Sequence, residues 1–562
     1  MKLINLNLYY LYQKLTKTNI FLKKLDRCTL EQKYVLLSIL AKNKNTKYGQ
    51  KYKFKNIKNF SDFKREVPIQ NYEDLREYIE EELNGEKNSI ISDKIKTFAI
   101  SSGTTDKVKY IPHTIESILM RKRSWEIWVN ILMRENPKTF SIMSKILNFT
   151  SKEFDGYTKG HTKFGSISGV INSIQPLIIR LKYPIPKEVY EIEDFNLRYY
   201  LFILFSISKD IRLIITPNPS TLLIYAKKIN QNILEIIEDL ENNEIKELKN
   251  NKNVDNKIKE QLNRKFKSIK NKKVGLKIRN LLKEKKTIYP KDIFTNLNIL
   301  GCWKGGPMKF YLDKLPKYYG ENIIIREIGY MASEGRFTIP INNKTNDGVL
   351  NIESGFYEFI KINDYEKTGL KSKTLLANEL KINQKYYMII TNHCALYRYF
   401  IDDIVIVTSF EKSTPVLKFL QKGKYFSSIT GEKISEWEVV DSLQKSLKNN
   451  FSNVETFFAI PIMSEKPYYK YYIEFKKDIS KNKIKLLEEK LERNMQKVNI
   501  EYKEKRQSLR LNKIKISKLK KNSFLTIKKE FSKNRKNDFQ VKIPKLIVLE
   551  KDKNLLKKIK FL

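Results

Sequence analysis

A short apolar run, Thr97-Phe98-Ala99-Ile100, leads straight into Ser101-Ser102-Gly103-Thr104-Thr105-Asp106-Lys107-Val108-Lys109. A strand that ends in a tight loop of glycine and hydroxyls is a setting for phosphate. Backbone N–H groups and side-chain oxygens converge there, and nearby lysines neutralise the charge. The loop is not the Walker pattern, which closes on Gly-Lys-Ser/Thr. Taken alone it reads more readily as a plain turn.

Two later segments carry matching chemistry. Gly329-Tyr330-Met331-Ala332-Ser333-Glu334-Gly335 offers an aromatic ring to flank a purine, a hydroxyl for an α-phosphate and a carboxylate that can hold Mg2+ through oxygen. Its structural alternative is a strand end with a helix cap. Leu396-Tyr397-Arg398-Tyr399-Phe400-Ile401-Asp402-Asp403-Ile404-Val405 offers a carboxylate for both hydroxyls of a ribose and an arginine for a phosphate or carboxylate. Its alternative is a hairpin with a surface ion pair.

Composition removes several other chemistries. Only three histidines (His113, His161, His393) and three cysteines (Cys28, Cys302, Cys394) exist, none at metal-ligand spacing. A local zinc site is therefore excluded, and a Ser-His-Asp triad has few candidates for its base. The sparse, odd cysteine count suits a reducing compartment. The stretch Leu3 to Tyr12 reads as an amphipathic opening helix, not a signal peptide. No window reaches the ~20 apolar residues of a membrane span. A cytoplasmic, soluble chain acting as a monomer is the expectation. The net charge of +45 raises a nucleic-acid reading. The excess is lysine spread along the whole chain without a recognition module, which fits a solvated surface better.

At about 150 residues per domain, a chain of 562 residues that is 41% hydrophobic is too long for one ordinary domain. Residues 30 to 85 read as helices and turns. Leu222 to Lys249 is helical by periodicity, and Lys249 to Lys286 reads as a solvated helical pair or an insertion. Runs at Leu297 to Leu300, Ile323 to Ile325, Tyr386 to Thr391 and Ile404 to Val407 read as strands. After Gly431, a strand at Tyr468 to Phe475 and a helix at Lys483 to Gln496 precede a Lys-rich tail. A boundary near residues 422 to 432 is expected.

The order and spacing of the three segments resemble the auxin-responsive Gretchen Hagen family of acyl-acid amido synthetases, within the adenylate-forming superfamily. The likeness runs essentially end to end. It includes Val67-Pro68 and Tyr72, the loop continuing into Lys109-Tyr110-Ile111-Pro112, Ile288-Tyr289-Pro290, Cys302-Trp303, Gly431 to Glu436, and Gln540-Val541-Lys542-Ile543-Pro544. The resemblance implies an α/β (mixed α+β) fold. A large N-terminal domain, 1–431, of mixed sheets with a barrel-like part would be followed by a small mobile C-terminal domain, 432–562.

It also implies ATP and Mg2+ as cofactors, and a carboxylic acid and an amino acid as small-molecule partners. By position, Ser101, Ser102, Gly103, Thr104 and Thr105 would bind phosphates, with Lys109 at the loop's exit. Tyr330, Ala332 and Ser333 would surround adenine and the α-phosphate, and Glu334 would be the metal ligand. Asp403 would hold the ribose with Tyr397 and Arg398 beside it, Arg398 counted with the catalytic groups. Lys422 would serve near the hinge. Lys542 would swing in from the C-terminal domain as a mobile point charge. The sequence departs from the family pattern at Asp106, at Ala395 and Asp402 where glycine is usual, and at Lys422 where arginine is usual. An acyl-CoA-type ligase with a thiol acceptor, and a nucleotide-binding member that no longer turns over, stay open on these residues.

Overall fold

The structure is a computed structural model that describes residues 17–101, 108–141, 143–267, 271–305, 308–423, 426–521, 523, 526–527 and 545–548. The chain divides into two compact units, one of Met1–Ile100 with Tyr110–Gln421, the other of Ser101–Lys109 with Lys422–Leu562. Among the described residues no helix is long and apolar enough to cross a membrane. The expected opening helix at Leu3 to Tyr12 lies outside the described residues.

The larger unit is mixed α/β and holds two extensive cores. One lies against one face of a four-stranded parallel sheet in the order Lys145–Asn148, Ile211–Ile215, Ile299–Cys302, Ile324–Glu327, whose other face packs in the second core. A parallel sheet is covered on both faces, so its strands read as unbroken apolar runs; Ile299–Cys302 is buried at every position. The helices Phe195–Ser206, Pro219–Gln231 and Ile233–Asn242 pack in the first core. The expected solvated helical pair is Asn256–Lys267 with Asn271–Lys285, anchored by Leu262, Phe266 and Ile278, while lysines occupy much of the outer face.

The other core lies against a six-stranded sheet in the order Gly355–Lys361, Lys385–Asn392, Leu396–Glu411, Thr414–Lys422, Gly348–Leu350, Thr338–Ile339. The pairs Gly355–Lys361 with Lys385–Asn392 and Lys385–Asn392 with Leu396–Glu411 are antiparallel. The long strand Leu396–Glu411 is irregular twice, between Leu396 and Tyr399 and between Phe400 and Ile404. Arg398 (φ 45°) and Asp402 (φ 59°) sit at those irregularities. Extra residues in one strand bend it and re-aim its side chains, as happens beside many active sites. Ala395, in the preceding turn, has φ 57°. Ala395 and Asp402, two of the sequence departures from glycine, are thus left-handed, a region that costs a residue with a Cβ about 1–2 kcal/mol. A third, four-stranded sheet carries Ile95–Ser101, the strand expected before the phosphate loop, beside Lys109–Thr114.

The smaller unit has a three-stranded sheet in the order Val454–Ile462, Tyr468–Phe475, Lys515–Lys518, the first pair antiparallel and the second parallel. The helices Glu436–Leu447 and Lys481–Val498 bury Val439, Leu443, Leu487, Leu491 and Met495 in its core. The segment around Leu546 joins the sheet edge, with Ala459 N donating to Lys545 O at 2.8 Å and Ile547 N donating to Ala459 O at 2.9 Å.

Glu438 ties the start of this unit together. Its Oε2 accepts from Ser435 N at 2.6 Å and Ser435 Oγ at 2.9 Å, and its Oε1 accepts from Asn499 Nδ2 at 2.9 Å. Burial, aided by Glu501 and opposed by those donors, raises its carboxyl from 4.5 to about 8. Between those values the folded chain holds a proton that the unfolded chain has lost. Stability is therefore complete below pH 4.5 and declines as pH rises towards about 8. Thermal melts across that window are expected to fall on the alkaline side by an amount of the order of a few kcal/mol, and Glu438→Gln should flatten the slope.

Candidate active site

The segment Tyr330 to Thr338 folds as a tight hairpin, not as the helix cap left open by its sequence. Ala332 N donates to Gly335 O at 2.8 Å and Gly335 N to Ala332 O at 3.3 Å, which leaves Ser333 and Glu334 as the two tip residues. Met331 bridges Arg336, and Phe337 N donates to Tyr330 O at 2.9 Å. Gly329, at φ +95°, starts the hairpin; a Cβ there would lie 2.5 Å from Thr338 O. Trp303 Nε1 donates to Gly329 O at 3.0 Å. Just below, the Glu327 carboxylate accepts from Lys304 N at 2.7 Å and Gly329 N at 2.9 Å. Burial outweighs these donors and lifts Glu327 to about 7.

Three donors grip the tip from beneath. Arg121, on the long helix Ile115–Glu135, bonds Ala332 O at 2.9 Å and also Ser333 O. His113, on the strand Lys109–Thr114, places Nε2 3.1 Å from Ser333 O. Asn392 Nδ2, at the end of the strand Lys385–Asn392, donates to Glu334 O at 2.9 Å. Burial holds the His113 ring well below its ordinary value, so the ring is neutral. Its carbonyl partner assigns the proton to Nε2. Nδ1 then lies 3.4 Å from the buried Cys394 thiol and 3.1 Å from Ser117 Oγ. Burial pushes that thiol up to about 11, which keeps it protonated at neutral pH.

The third segment meets the hairpin at Asp403. Tyr330 hydroxyl donates to Asp403 Oδ2, and the Tyr330 ring stacks on Phe419 with centroids 5.1 Å apart. Burial first, then Asp403 and also Glu334, hold the Tyr330 phenol well above its ordinary value. Burial followed by Glu334, Tyr72 and Asp403 does the same to Tyr399. Two carboxylates from segments about 70 residues apart thus act on the same pair of phenols (Glu334 and Asp403 are both buried).

The structure separates Arg398 and Tyr397 from that group. Arg398 forks onto Glu358, Nε to Oε2 at 2.9 Å and Nη2 to Oε1 at 2.8 Å, and its Nη1 donates to Val67 O at 2.7 Å and Lys64 O at 3.2 Å. Tyr397 is fully buried, stacks on Tyr48 at 4.9 Å and donates to Ile90 O at 2.9 Å. Both side chains hold the third segment to the N-terminal helices. Lys109 begins its strand, half-buried. Ser101 ends the strand Ile95–Ser101, and Lys422 ends the strand Thr414–Lys422; their side chains lie outside the described residues. Ser102, Gly103, Thr104, Thr105 and Lys542 also lie outside them.

The chain matches the GH3 family N-terminal domain over residues 17–324, the central domain over 348–422 and the C-terminal domain over 437–551. The chain belongs to the GH3 family. It is 24% identical over 438 residues to the indole-3-acetic acid-amido synthetase GH3.4 of Arabidopsis thaliana, covering 74% of this chain and 70% of that protein. It is 24% identical over 433 residues to the jasmonoyl--L-amino acid synthetase JAR4 of Nicotiana attenuata, covering 74% and 73%. A solved GH3.15 acyl acid amido synthetase superposes with a TM-score of 0.65 at 18% identity, covering 96% of this chain and 95% of that one, a likeness of fold.

In this GH3 chain the tip hairpin falls between the N-terminal and central matches, and the third segment lies inside the central one. Sequence reasoning missed His113, Arg121 and Asn392. A signal for Arg121 was present: it shares a helix face with Ser117, Ile118, Ser124, Trp125 and Trp128, a face without another charge, where a solvated arginine does not belong. Nothing local marked Asn392.

Proposed function

We propose that this GH3 chain uses Mg-ATP to activate a carboxylic acid as an acyl-adenylate and transfers the acyl group to the amine of an amino acid. The hydrogen bond from the Tyr330 hydroxyl to Asp403, which brings the second segment with Glu334 at its hairpin tip to the third, carries this reading. It joins a carboxylate suited to a hard cation with one suited to a ribose. In the first step an oxygen of the acid attacks the α-phosphorus and the bond to pyrophosphate breaks. In the second, the amine nitrogen attacks the acyl carbon, the bond to AMP breaks and the amine loses a proton to solvent. The protein supplies position and charge around reactive partners.

Glu334 is the Mg2+ ligand in this reading. One hard carboxylate fits a cation that takes one or two protein carboxylates and fills its octahedron with phosphates and water. When bound, Mg2+ neutralises polyphosphate charge. Among the described residues no group of three or more His, Cys, Asp or Glu forms a cage of its own. Ser101 to Thr105 and Lys109 bind phosphates, Tyr330, Ala332 and Ser333 face the adenylate, and Asp403 accepts from the ribose. Lys542 brings a point charge to the α-phosphate, and Lys422 keeps a positive charge near the hinge. A cytoplasmic address accords with three buried, unpaired cysteines.

Product analysis by mass spectrometry, with ATP, pooled acids and pooled amino acids, tests the acceptor. The expected result is an acyl–amino acid conjugate formed with AMP. Product with coenzyme A alone would replace the amine by a thiol.

A further inference from the structure

We infer that Arg121, His113 and Asn392 are positioning residues for adenylation: they clamp the carbonyls of Ala332, Ser333 and Glu334 and so fix the direction of the two tip side chains. The inference rests on the reading above that Ser333 and Glu334 face the α-phosphate and Mg2+.

A two-residue hairpin tip has few bonds of its own to hold its peptide planes, and such tips ordinarily turn their carbonyls to water. Here three successive carbonyls point inward, and each meets a donor: Arg121 at Ala332 and Ser333, His113 at Ser333, Asn392 at Glu334. The donors come from a helix and two different strands, 211, 220 and 58 residues away along the chain. Side chains brought together from that far fix a tip in one orientation, as a local turn motif does not.

Arg121 is the most telling member. It is 8% exposed on an inward helix face shared with Ser117, Ile118, Ser124 and Trp125, none of them charged. Burying a guanidinium costs several kcal/mol, and an aliphatic residue would fill the same space without that cost. Among the described residues its side-chain hydrogen bonds go to the tip carbonyls of Ala332 and Ser333. The arginine also sets a fixed positive charge under a tip that faces a polyanion, an arrangement suited to charge that develops during reaction. A misplacement of about 1 Å at such a tip costs on the order of 10²-fold in rate.

The test is calorimetric binding of ATP with and without Mg2+, alongside the kcat and KM of ATP–pyrophosphate exchange. The proteins are wild type, Glu334→Gln, Arg121→Met, His113→Phe, His113→Gln and Asn392→Ser. Wild type should bind ATP more tightly with Mg2+, and Glu334→Gln should lose that gain. Arg121→Met, His113→Phe and Asn392→Ser should each lose about tenfold or more of it and lower kcat by a similar factor, with KM and metal-free ATP binding little changed. His113→Gln, which keeps a donor for Ser333 O, should restore most of the gain. Combining Arg121→Met with Glu334→Gln should add little to Glu334→Gln alone. Folded Arg121→Met, His113→Phe and Asn392→Ser proteins that keep the full Mg2+ gain, while Glu334→Gln loses it, would overturn the clamp. If Glu334→Gln also keeps the gain, the assignment of Glu334 itself falls. Should Arg121→Met not fold, the His113 pair and Asn392→Ser decide the matter.

Discussion

Arg398→Met lowers the unfolding free energy by about 3–5 kcal/mol, because it strands the Glu358 carboxylate in a site from which water is excluded. The pair is almost fully buried, Arg398 at 4% and Glu358 at 1% side-chain exposure, and the bonds are bidentate. The same change also leaves the Val67 and Lys64 carbonyls without this donor. Replacing Arg398 and Glu358 together by apolar residues removes the uncompensated charge. The double variant is therefore expected to be more stable than Arg398→Met alone, though below wild type because the two carbonyls remain. Urea denaturation measures both. A methionine variant of wild-type stability that had lost only catalytic rate would instead place Arg398 with the reacting groups.

The second large effect separates the two carboxylates. Glu334→Gln is expected to lower acyl-adenylate formation by about 10²–10³-fold while metal-free ATP binding stays close to wild type. Asp403→Ala is expected to weaken ATP binding itself by about 10–100-fold, as the buried carboxylate proposed to accept the ribose hydroxyls is lost. It also removes the acceptor of the Tyr330 hydroxyl, so the ring that stacks on Phe419 loses its tether. Titration of ATP against each variant, followed by single-turnover formation of adenylate, separates the two. Equal loss of binding in both would contradict the distinct roles.

These effects also show which parts of the molecule the sequence makes legible. The helix Lys481–Val498 follows its hydrophobic period closely, because it has one face on a core and one in solvent, while the central strand Tyr468–Phe475 shows as an aromatic run buried along most of its length. Two of the four parallel strands, Ile299–Cys302 and Ile324–Glu327, were visible as apolar runs. The lysine-rich stretch after residue 249 was visible as a solvated pair of helices or an insertion, of which the structure shows the helices. At the site, the order of three motifs pointed to the family, and the structure joins the second and third of them through Tyr330 and Asp403.

What stayed hidden has a common physical cause. The partner of Arg398 is Glu358, 40 residues away, so in sequence the arginine looks like half of a surface ion pair. The tip of the hairpin at Ser333 and Glu334 looks like a helix cap until Ala332 and Gly335 are seen to exchange bonds. The clamp residues reach the tip across as many as 220 residues, a separation no local period encodes. Ala395 and Asp402, noted as departures from glycine, prove to be left-handed positions in a turn and a bulge that the fold maintains without glycine.

Acid-dependent ATP–pyrophosphate exchange, run with pools of aromatic, aliphatic and fatty carboxylic acids, tests the central claim most directly. The account predicts exchange above the acid-free blank with at least one pool, Mg2+-dependent and abolished in Lys542→Ala. A folded protein that neither binds Mg-ATP nor exchanges pyrophosphate with any pool would contradict it.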